Sequence, residues 1–401
     1  MSKINFIYKR KVWLATSVAL VVLFFFFRSA GMFQYVFHSK QVQKTAPPVL
    51  DSTELKMQYQ LDTFFQNKIK YAALNACVLV SWHGKIIYEN ANGWQNYEKK
   101  IPLSLTSTFN LASTSKPLTA TAVLQLYENG LIKLTDSLTK YFPKFPYKTI
   151  TIQDLLSHRS GLPDYTESSY FNTLAPKPGK KYYTNQDVFD FIVTTHPALY
   201  NSPNRAFDYC NTNYCLLALL IEKVSGEKFS EYMLENVFFP ANMIHTYVSD
   251  RLNDTIHANE TYSYLTSTWN KTDILPADGV VGDKGTFSTV EDLFAFDRAL
   301  ANETLLKKET QQLAYTGYSN EKVGVKNYGL GWRLIDNGGA YDLIYHNGWW
   351  RGYTNAFCRR QFDNVCVAIL CNKYNKSAWS YGGVFDLIDN GKYNGNTNTG
   401  Q

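Results

Sequence analysis

The chain has 401 residues, of which 45% are hydrophobic and 18% charged, and its formal net charge is +6. This composition is typical of a globular protein and excludes a disordered chain. The charge is modest for this length, and no long run of Lys and Arg stands outside the N-terminus, so no nucleic-acid partner is expected.

The N-terminus resembles a membrane anchor. Three basic residues, 9–11, precede a run from Val12 to Phe27 that contains no charged residue. This run rises about 24 Å as a helix, and Arg28 with the following turn makes up the difference to a bilayer core of about 30 Å. We expect a cytoplasmic stub, a single uncleaved anchor over residues 12–30 and a linker to residue 50. A cleaved secretory signal is the alternative, although no small-x-small cleavage site follows the run.

Both interpretations export the rest of the chain, since basic residues in front of an apolar run stay in the cytoplasm. We therefore expect a single-pass protein of the cell membrane, with residues 51–390 on the periplasmic or extracellular side. The linker over 41–50 contains Pro47 and Pro48.

The first predicted elements are a helix over 55–69 and two strands, 77–82 and 85–88, which pair antiparallel through a turn at 83–84. Apolar residues at positions 120, 123, 124 and 127 then recur with the period of an amphipathic helix that begins at Ser113. Helical and loop-like sequence follows to about residue 276. The remaining predicted elements are a helix over 290–300 and strands over 343–346, 353–359 and 365–371.

These elements predict an α+β fold over residues 51–390. Its sheet part covers about 51–110 and 280–390, and a mostly helical part covers about 111–279. Residues 391–401 are expected to form a flexible tail.

The six cysteines leave the redox state open. An even count permits disulfides in an exported protein, but the pairing is not determined by the sequence. No CxxC pair occurs, so a zinc ribbon or a thioredoxin-type site is disfavoured, and we expect no metal and no cofactor. The cysteines are Cys77, Cys210, Cys215, Cys358, Cys366 and Cys371.

A serine three residues before a lysine is the pattern of one class of serine hydrolases, because residues i and i+3 share a helix face. The pattern occurs four times, beginning at Ser113, Ser137, Ser225 and Ser319. Ser113 alone stands at the start of a strongly periodic helix, where exposed N–H groups and the helix dipole favour an oxyanion. The patterns YxN and [HK]xG occur eight and three times, so they locate no site by themselves.

Six segments, read with their flanks, resemble the serine beta-lactamase-related family, which includes class C beta-lactamases, D-alanyl-D-alanine carboxypeptidases, D-aminopeptidases and esterases. The resemblance covers residues 55–390 and implies a beta-lactamase/transpeptidase-like fold, with a central antiparallel sheet flanked by helices. The segments, in chain order, are FNLASTSKPLTATAVLQL, ITIQDLLSHRSGLPDY, FDYCNTNYCLLALLIEKVSG, GTFSTVEDLFAF, YGLGW and HNGWWRGY.

The resemblance implies a mechanism. Ser113 would attack a carbonyl carbon, Lys116 would help to remove its proton, and Tyr209 would act as the second base and deliver a proton to the leaving group. A phenol acts as a base only where a nearby cation stabilises phenolate, and Lys116 is the expected cation.

The resemblance also implies how a substrate is held. Asn211 would bind the amide or ester side chain of the substrate. His346, Asn347 and Gly348 match the family's strand beside the nucleophile, where Gly permits a close approach. The backbone N–H groups of Ser113 and Trp349 would form the oxyanion hole.

Three positions depart from the pattern. His346 stands where many beta-lactamases carry lysine, and a histidine holds a carboxylate less firmly near neutral pH. Trp349 is bulky where penicillin-recognising relatives often carry a small residue, and Arg351 offers a replacement cation. Cys210 replaces a frequent serine. These departures favour an esterase or a D-amino-acid peptidase over a dedicated beta-lactamase.

The expected function is hydrolysis of an ester or amide, in a D-amino-acid peptide, a small ester or a beta-lactam, through an acyl-enzyme. The alternative is a catalytically inactive, penicillin-binding-protein-like module that binds peptidoglycan or a partner protein. An alpha/beta-hydrolase is disfavoured because no GxSxG elbow occurs, and a metallohydrolase because no HExxH cluster occurs. The natural substrate and the oligomeric state are not determined by the sequence.

Overall fold

The computed structural model describes residues 49–251, 257–321, 324, 326–336 and 341–390. The described residues from Leu50 onward belong to one compact unit. The predicted stub, the anchor over about 12–30 and the tail over 391–401 lie outside the described residues.

The predicted single-pass location in the cell membrane is corrected by the described helices. In the part of the chain that the structure describes, none of them is both long and apolar enough to cross a bilayer. The longest, α1 (Ser52–Ala72), shows the physical reason, since it carries Glu54, Lys56 and Asp62 within its first half. It buries Met57, Leu61 and Phe65 along one face, which is the pattern of a helix on a protein core.

An antiparallel sheet of seven strands forms the centre of the described fold, in the order β2-β1-β12-β11-β10-β9-β8. Its strands come from both ends of the domain. They are β1 (Ala76–Trp82), β2 (Lys85–Asn92), β8 (Lys326–Tyr328), β9 (Arg333–Asp336), β10 (Tyr341–Trp350), β11 (Tyr353–Arg360) and β12 (Val365–Cys371). The predicted α+β fold is confirmed.

Both faces of this sheet are covered. Alternate residues of a strand point to opposite faces. Cys77 and Leu79 of β1 accordingly join one apolar core, whereas Val78 and Val80 join the other, which includes residues of α1. A strand buried on both faces is expected to be almost continuously apolar, and β12, with the sequence VCVAILC, is buried throughout.

The remaining helices follow the chain between and after the strands. They are α2 (Ser115–Glu128), α3 (Ile152–Leu156), α4 (Asn185–Thr195), α5 (Asn211–Ser225), α6 (Phe229–Met233), α7 (Val290–Ala301), α8 (Lys308–Ala314) and α9 (Gly382–Asn390). Several begin with side-chain caps that their sequences supply, such as Thr184 before α4 and Thr289 before α7.

Helix α2 differs from the amphipathic helix that the sequence predicts. It begins at Ser115 rather than Ser113, because residues Ala112–Thr114 form a separate 3₁₀ turn. From Ser115 to Leu126 every side chain except Gln125 is buried. Neighbouring elements enclose α2 on all sides, so its small and hydroxyl residues are buried along with its apolar ones.

Two small sheets complete the described strands. One pairs β3 (Trp94–Asn96) with β4 (Ile101–Pro102). The other places β7 (Thr286–Ser288) between β5 (Phe109–Asn110) and β6 (Tyr247–Val248). Because β5 leads directly into the turn Ala112–Thr114, its pairing with β7 fixes where that turn begins.

All six cysteines are buried and carry free thiols. The disulfides that their even number permits are therefore not formed in this structure.

Candidate active site

The turn Ala112–Thr114 brings Ser113 next to Lys116. The Lys116 Nζ lies 3.1 Å from the Ser113 Oγ. Lys116 is completely buried, whereas Ser113 is partly exposed and lines a cavity of about 350 Å³. Ala112, immediately before the serine, has a left-handed backbone with φ of 50°, a conformation that is uncommon for residues other than glycine and often occurs near active sites.

The other contacts of the Lys116 amine are with neutral acceptors. It donates to the Asn211 Oδ1 at 2.8 Å and to the backbone oxygen of Asp283 at 3.1 Å. A neutral amine has two N–H bonds and one lone pair. If the two hydrogens go to Asn211 and Asp283, the lone pair faces the Ser113 hydroxyl, which is the arrangement of a general base.

Two basic side chains lie near the ring of Tyr209. The Lys116 Nζ is 4.9 Å and the Arg333 guanidinium carbon 5.3 Å from the centre of its ring. Its hydroxyl is buried and finds no hydrogen-bond partner among the described residues. The structure thus places Tyr209 on the same cavity as Ser113, without a hydrogen bond between the phenol and either Ser113 or Lys116.

Asn211 holds the lysine and the start of α5 at once. Besides accepting from Lys116, it donates through its backbone N–H to the Asp164 Oδ2 at 2.6 Å and through its Nδ2 to the Thr166 Oγ1 at 3.3 Å. The side chain therefore faces the cavity with its oxygen already engaged.

Strand β10 passes very close to the turn Ala112–Thr114, which carries Ser113. A Cβ added at Gly348 would lie 2.2 Å from the Leu111 oxygen and 2.8 Å from the Thr114 Oγ1. Asn347 and Trp349 line the cavity, and Trp349 is 55% exposed. β9 pairs with β10 only as far as Tyr345, so the described edge from His346 to Trp350 has no strand partner on that side.

His346 does not reach the cavity. It is fully buried, its Nδ1 lies 2.8 Å from the Asn347 oxygen and its Nε2 lies 3.1 Å from the Tyr328 hydroxyl. A carbonyl oxygen only accepts, so Nδ1 carries the proton and Nε2 accepts from Tyr328. Burial, with Arg333 and Lys116 nearby, holds the pKa of His346 well below its usual value, and a neutral, buried ring offers no charge to a substrate.

Arg351 faces a second, neighbouring cavity rather than the one that contains Ser113. Its guanidinium lies 4.0 Å from the Asp273 carboxylate. The two cavities share Trp350 as a wall.

The cavity that contains Ser113 is lined by a different cation, Arg333 on β9, which the sequence analysis missed. Its Nε is buried and without a hydrogen-bond partner in the described part of the chain. The signal was its place directly after the YGLGW segment. Other lining residues that were not singled out are Asp164, Thr166, Glu167, Tyr345, Trp350 and Trp379.

The fold and this geometry together define a class: a beta-lactamase/transpeptidase-like α+β protein with a lysine buried against a cavity serine. A family model described as Beta-lactamase matches residues 61–380. The chain belongs to the beta-lactamase family, a family of serine hydrolases and acyl-transferases, and the resemblance predicted from the sequence is confirmed.

Individual proteins similar to this chain support the same family assignment. Penicillin-binding protein 4* of Bacillus subtilis (strain 168) is 32% identical over 325 residues, which cover 78% of this chain and 71% of the relative. A penicillin binding protein from Bacillus halodurans matches with a TM-score of 0.69 and 25% identity, over 80% of this chain and 97% of its own. D-amino acid amidase from Ochrobactrum anthropi SV3, complexed with L-phenylalanine amide, shares the fold with a TM-score of 0.68 and 23% identity, over 84% and 98%.

Proposed function

We propose that this chain hydrolyses an ester or amide through an acyl-enzyme on Ser113. The proposal rests on the environment of the Lys116 amine. Its Nζ lies 3.1 Å from the Ser113 Oγ, and its other hydrogen bonds go to two neutral oxygens, those of the Asn211 side chain and the Asp283 backbone. No carboxylate forms an ion pair with Lys116 among the described residues. A buried amine without an anionic partner is suited to accept a proton.

The first half of the reaction forms a bond from the Ser113 Oγ to the substrate carbonyl carbon, while the serine proton moves to Lys116. The carbonyl oxygen becomes an oxyanion, which we assign to the N–H groups of Ser113 and Trp349. When the tetrahedral intermediate collapses, the bond to the alcohol or amine breaks and the leaving group takes a proton through Tyr209. Water then attacks the acyl carbon and gives up a proton to the same groups. The bond from that carbon to the Ser113 Oγ breaks, the serine oxygen takes the proton, and the acid leaves.

The cavity favours a substrate with a carboxylate. Arg333 and Lys116 flank the phenol of Tyr209, and the Arg333 Nε is an unused donor among the described contacts. The Asn347 Oδ1, on the neighbouring strand, is a buried acceptor that likewise has no partner in the described chain. A peptide or ester that ends in a D-amino acid offers both a carboxylate and an N–H. This assignment agrees with relatives named penicillin-binding protein and D-amino acid amidase.

Labelling with a fluorescent phosphonate tests the nucleophile. Wild-type protein should be labelled, and Ser113→Ala should not, because the phosphonate bonds only to an activated oxygen. Ser137→Ala, at another copy of the same sequence pattern, is the control and should be labelled like wild type. Equal labelling of wild type and Ser113→Ala would remove Ser113 as nucleophile, and no labelling of either would favour the inactive binding module.

Turnover assays on the labelled protein then define the substrate. Nitrocefin, short-chain p-nitrophenyl esters and peptides ending in D-Ala-D-Ala represent the three substrate classes. We expect the esters and peptides to be cleaved faster than nitrocefin, since no lysine stands at position 346 and Trp349 narrows the strand side of the cavity.

A further inference from the structure

The segment that carries Tyr209 is irregular. Residues 201–210 form turns and extended backbone between α4 and α5, with no helix or strand. The Tyr209 hydroxyl has no hydrogen-bond partner among the described residues. The phenol is therefore not anchored by its own polar atom, and its position depends on the backbone on either side and on the packing of its ring.

His158 holds the backbone on both sides of Tyr209. Its carbonyl oxygen accepts the N–H of Asp208 at 2.8 Å, and its ring Nδ1 accepts the N–H of Cys210 at 3.1 Å. The centres of the His158 and Tyr209 rings are 4.2 Å apart. One residue thus contacts Tyr209 itself and both residues beside it.

The backbone of His158 is unusual in a way that suits this role. It is fully buried and has a left-handed conformation with φ of 55°. Side chains other than glycine rarely adopt this region, and those that do are held there by their surroundings. In this conformation the carbonyl group of His158 accepts from the amide of Asp208, and its side chain accepts from the amide of Cys210.

The contacts also fix the proton on the ring. The Nδ1 faces the N–H of Cys210 and lies 3.3 Å from the Nδ2 of Asn213. An acceptor at Nδ1 requires the hydrogen on Nε2, so the ring is neutral. A protonated ring would turn its N–H towards that of Cys210 and would add a positive charge near Lys116 and Arg333.

Adjacent residues extend the same attachment. Arg159 donates to the Asn204 Oδ1 at 2.9 Å, and the N–H of Tyr200 bonds to the Gly161 oxygen at 2.8 Å. Gly161 is required there, because an added Cβ would lie 1.9 Å from the Asn201 oxygen. Residues 158–161 therefore bind the segment that leads to Tyr209 at several points, and His158 binds it next to the phenol.

We propose that His158 is a positioning residue for Tyr209: a neutral imidazole that fixes the phenol at the reaction centre through the amide of Cys210 and through ring contact. The inference rests on the proposed function, in which Tyr209 transfers protons.

Two substitutions separate the two contacts of His158. His158→Asn keeps an acceptor at the δ position, and asparagine tolerates the left-handed backbone. His158→Phe keeps a ring and removes the acceptor. His196, which is exposed and also has a positive φ of 46°, provides the matched controls His196→Asn and His196→Phe.

The measurements are kcat and KM for a p-nitrophenyl ester, expressed per active site titrated with the phosphonate, and the pH profile of kcat/KM. We expect His158→Phe to lower kcat by about 10- to 100-fold with KM within about 3-fold of wild type, the loss that a displaced catalytic group produces. Its acid limb should shift, because the limb reports the basic groups of the reaction and the variant changes their surroundings. His158→Asn should retain kcat within about 5-fold of wild type, with an unshifted limb.

Wild-type kcat and an unshifted limb in His158→Phe would overturn the proposal, as would equal losses in both variants with unshifted limbs. If His158→Phe does not fold, His158→Asn decides alone: retained kcat supports the proposal, and a loss as large as that of Tyr209→Phe overturns it. Unchanged turnover in Tyr209→Phe would instead refute the proton transfer by Tyr209, which is the part of the proposed function on which this inference rests.

Discussion

Arg333 is the residue whose charge should decide which substrates the cavity accepts. We expect Arg333→Gln to lower kcat/KM by about 10- to 100-fold for a substrate with a free carboxylate, the usual effect of losing a charge-assisted hydrogen bond. The methyl ester of the same substrate should lose about 3-fold or less, because it brings no charge for the guanidinium to bind. Steady-state kinetics on this pair of substrates measure the difference directly.

Arg351→Gln is the matched control, since Arg351 lies on the neighbouring cavity. It should lower the two rates to a similar, small extent. A carboxylate-selective loss in Arg351→Gln, or equal losses on both substrates in Arg333→Gln, would contradict the assignment. The two variants therefore distinguish Arg351, the cation proposed from the sequence, and Arg333, the cation that the structure places on the cavity.

Among the elements of the site, β10 passes close to the turn Ala112–Thr114 at Gly348. Gly348→Ala would push its Cβ against the Leu111 oxygen, a backbone atom that cannot turn aside. Overpacking of this kind costs about 1–3 kcal/mol, and moving the strand also displaces the cavity wall. We expect a lower free energy of unfolding by urea titration, together with a fall in kcat/KM.

Gly324→Ala is the control for that substitution. A Cβ at Gly324 would meet no atom within 4 Å, and neither glycine has a positive φ. The control should therefore change stability and activity little. Full stability and activity in Gly348→Ala would show that the strand and the turn can separate without consequence.

The strands show which part of the fold could be predicted from the sequence. Strands β11 and β12 were predicted within one residue of their observed ends, because turn residues bound both strands and β12 is an apolar run. The predicted strand over 343–346 was too short, since β10 runs on to Trp350. Asn347–Gly348 reads as a turn signal, but the structure uses this glycine for a close approach to Leu111.

The site divides in a similar way. Ser113, Lys116, Tyr209 and Asn211 could be located because flanked motifs carry them, and the structure places all four on or beside one cavity. Arg333 was missed, since the YGLGW segment before it does not show that β9 pairs with β10. The burial of His346 was equally hidden, because its ring packs against Tyr328, eighteen positions away in the chain. The catalytic and binding roles of these residues remain predictions.

For the protein as a whole, two buried, neutral histidines make the free energy of unfolding depend on pH. His158 precedes the segment of Tyr209, His346 belongs to the central sheet, and burial holds the pKa of each well below its usual value. Between pH 7.5 and 5.5 the unfolded chain, whose histidines titrate near 6.5, binds more protons than the folded one. Stability is therefore complete above about pH 6.5 and decreases as the pH falls, by about 1.4 kcal/mol per histidine at pH 5.5.

Urea unfolding of wild type and His346→Gln across this range isolates one of the two. The difference in unfolding free energy should shrink by about 1.4 kcal/mol between pH 7.5 and 5.5, because the glutamine cannot be protonated. Taking the difference between the two proteins cancels the contribution of Glu222 and Asp292, which both contain. Burial raises the pKa of these two carboxyl groups, so their contribution to stability increases as the pH falls. His196→Gln, at an exposed position, is the control for the substitution of histidine by glutamine. A pH-independent difference for His346→Gln would mean that the folded protein accommodates a charged ring beside Tyr328.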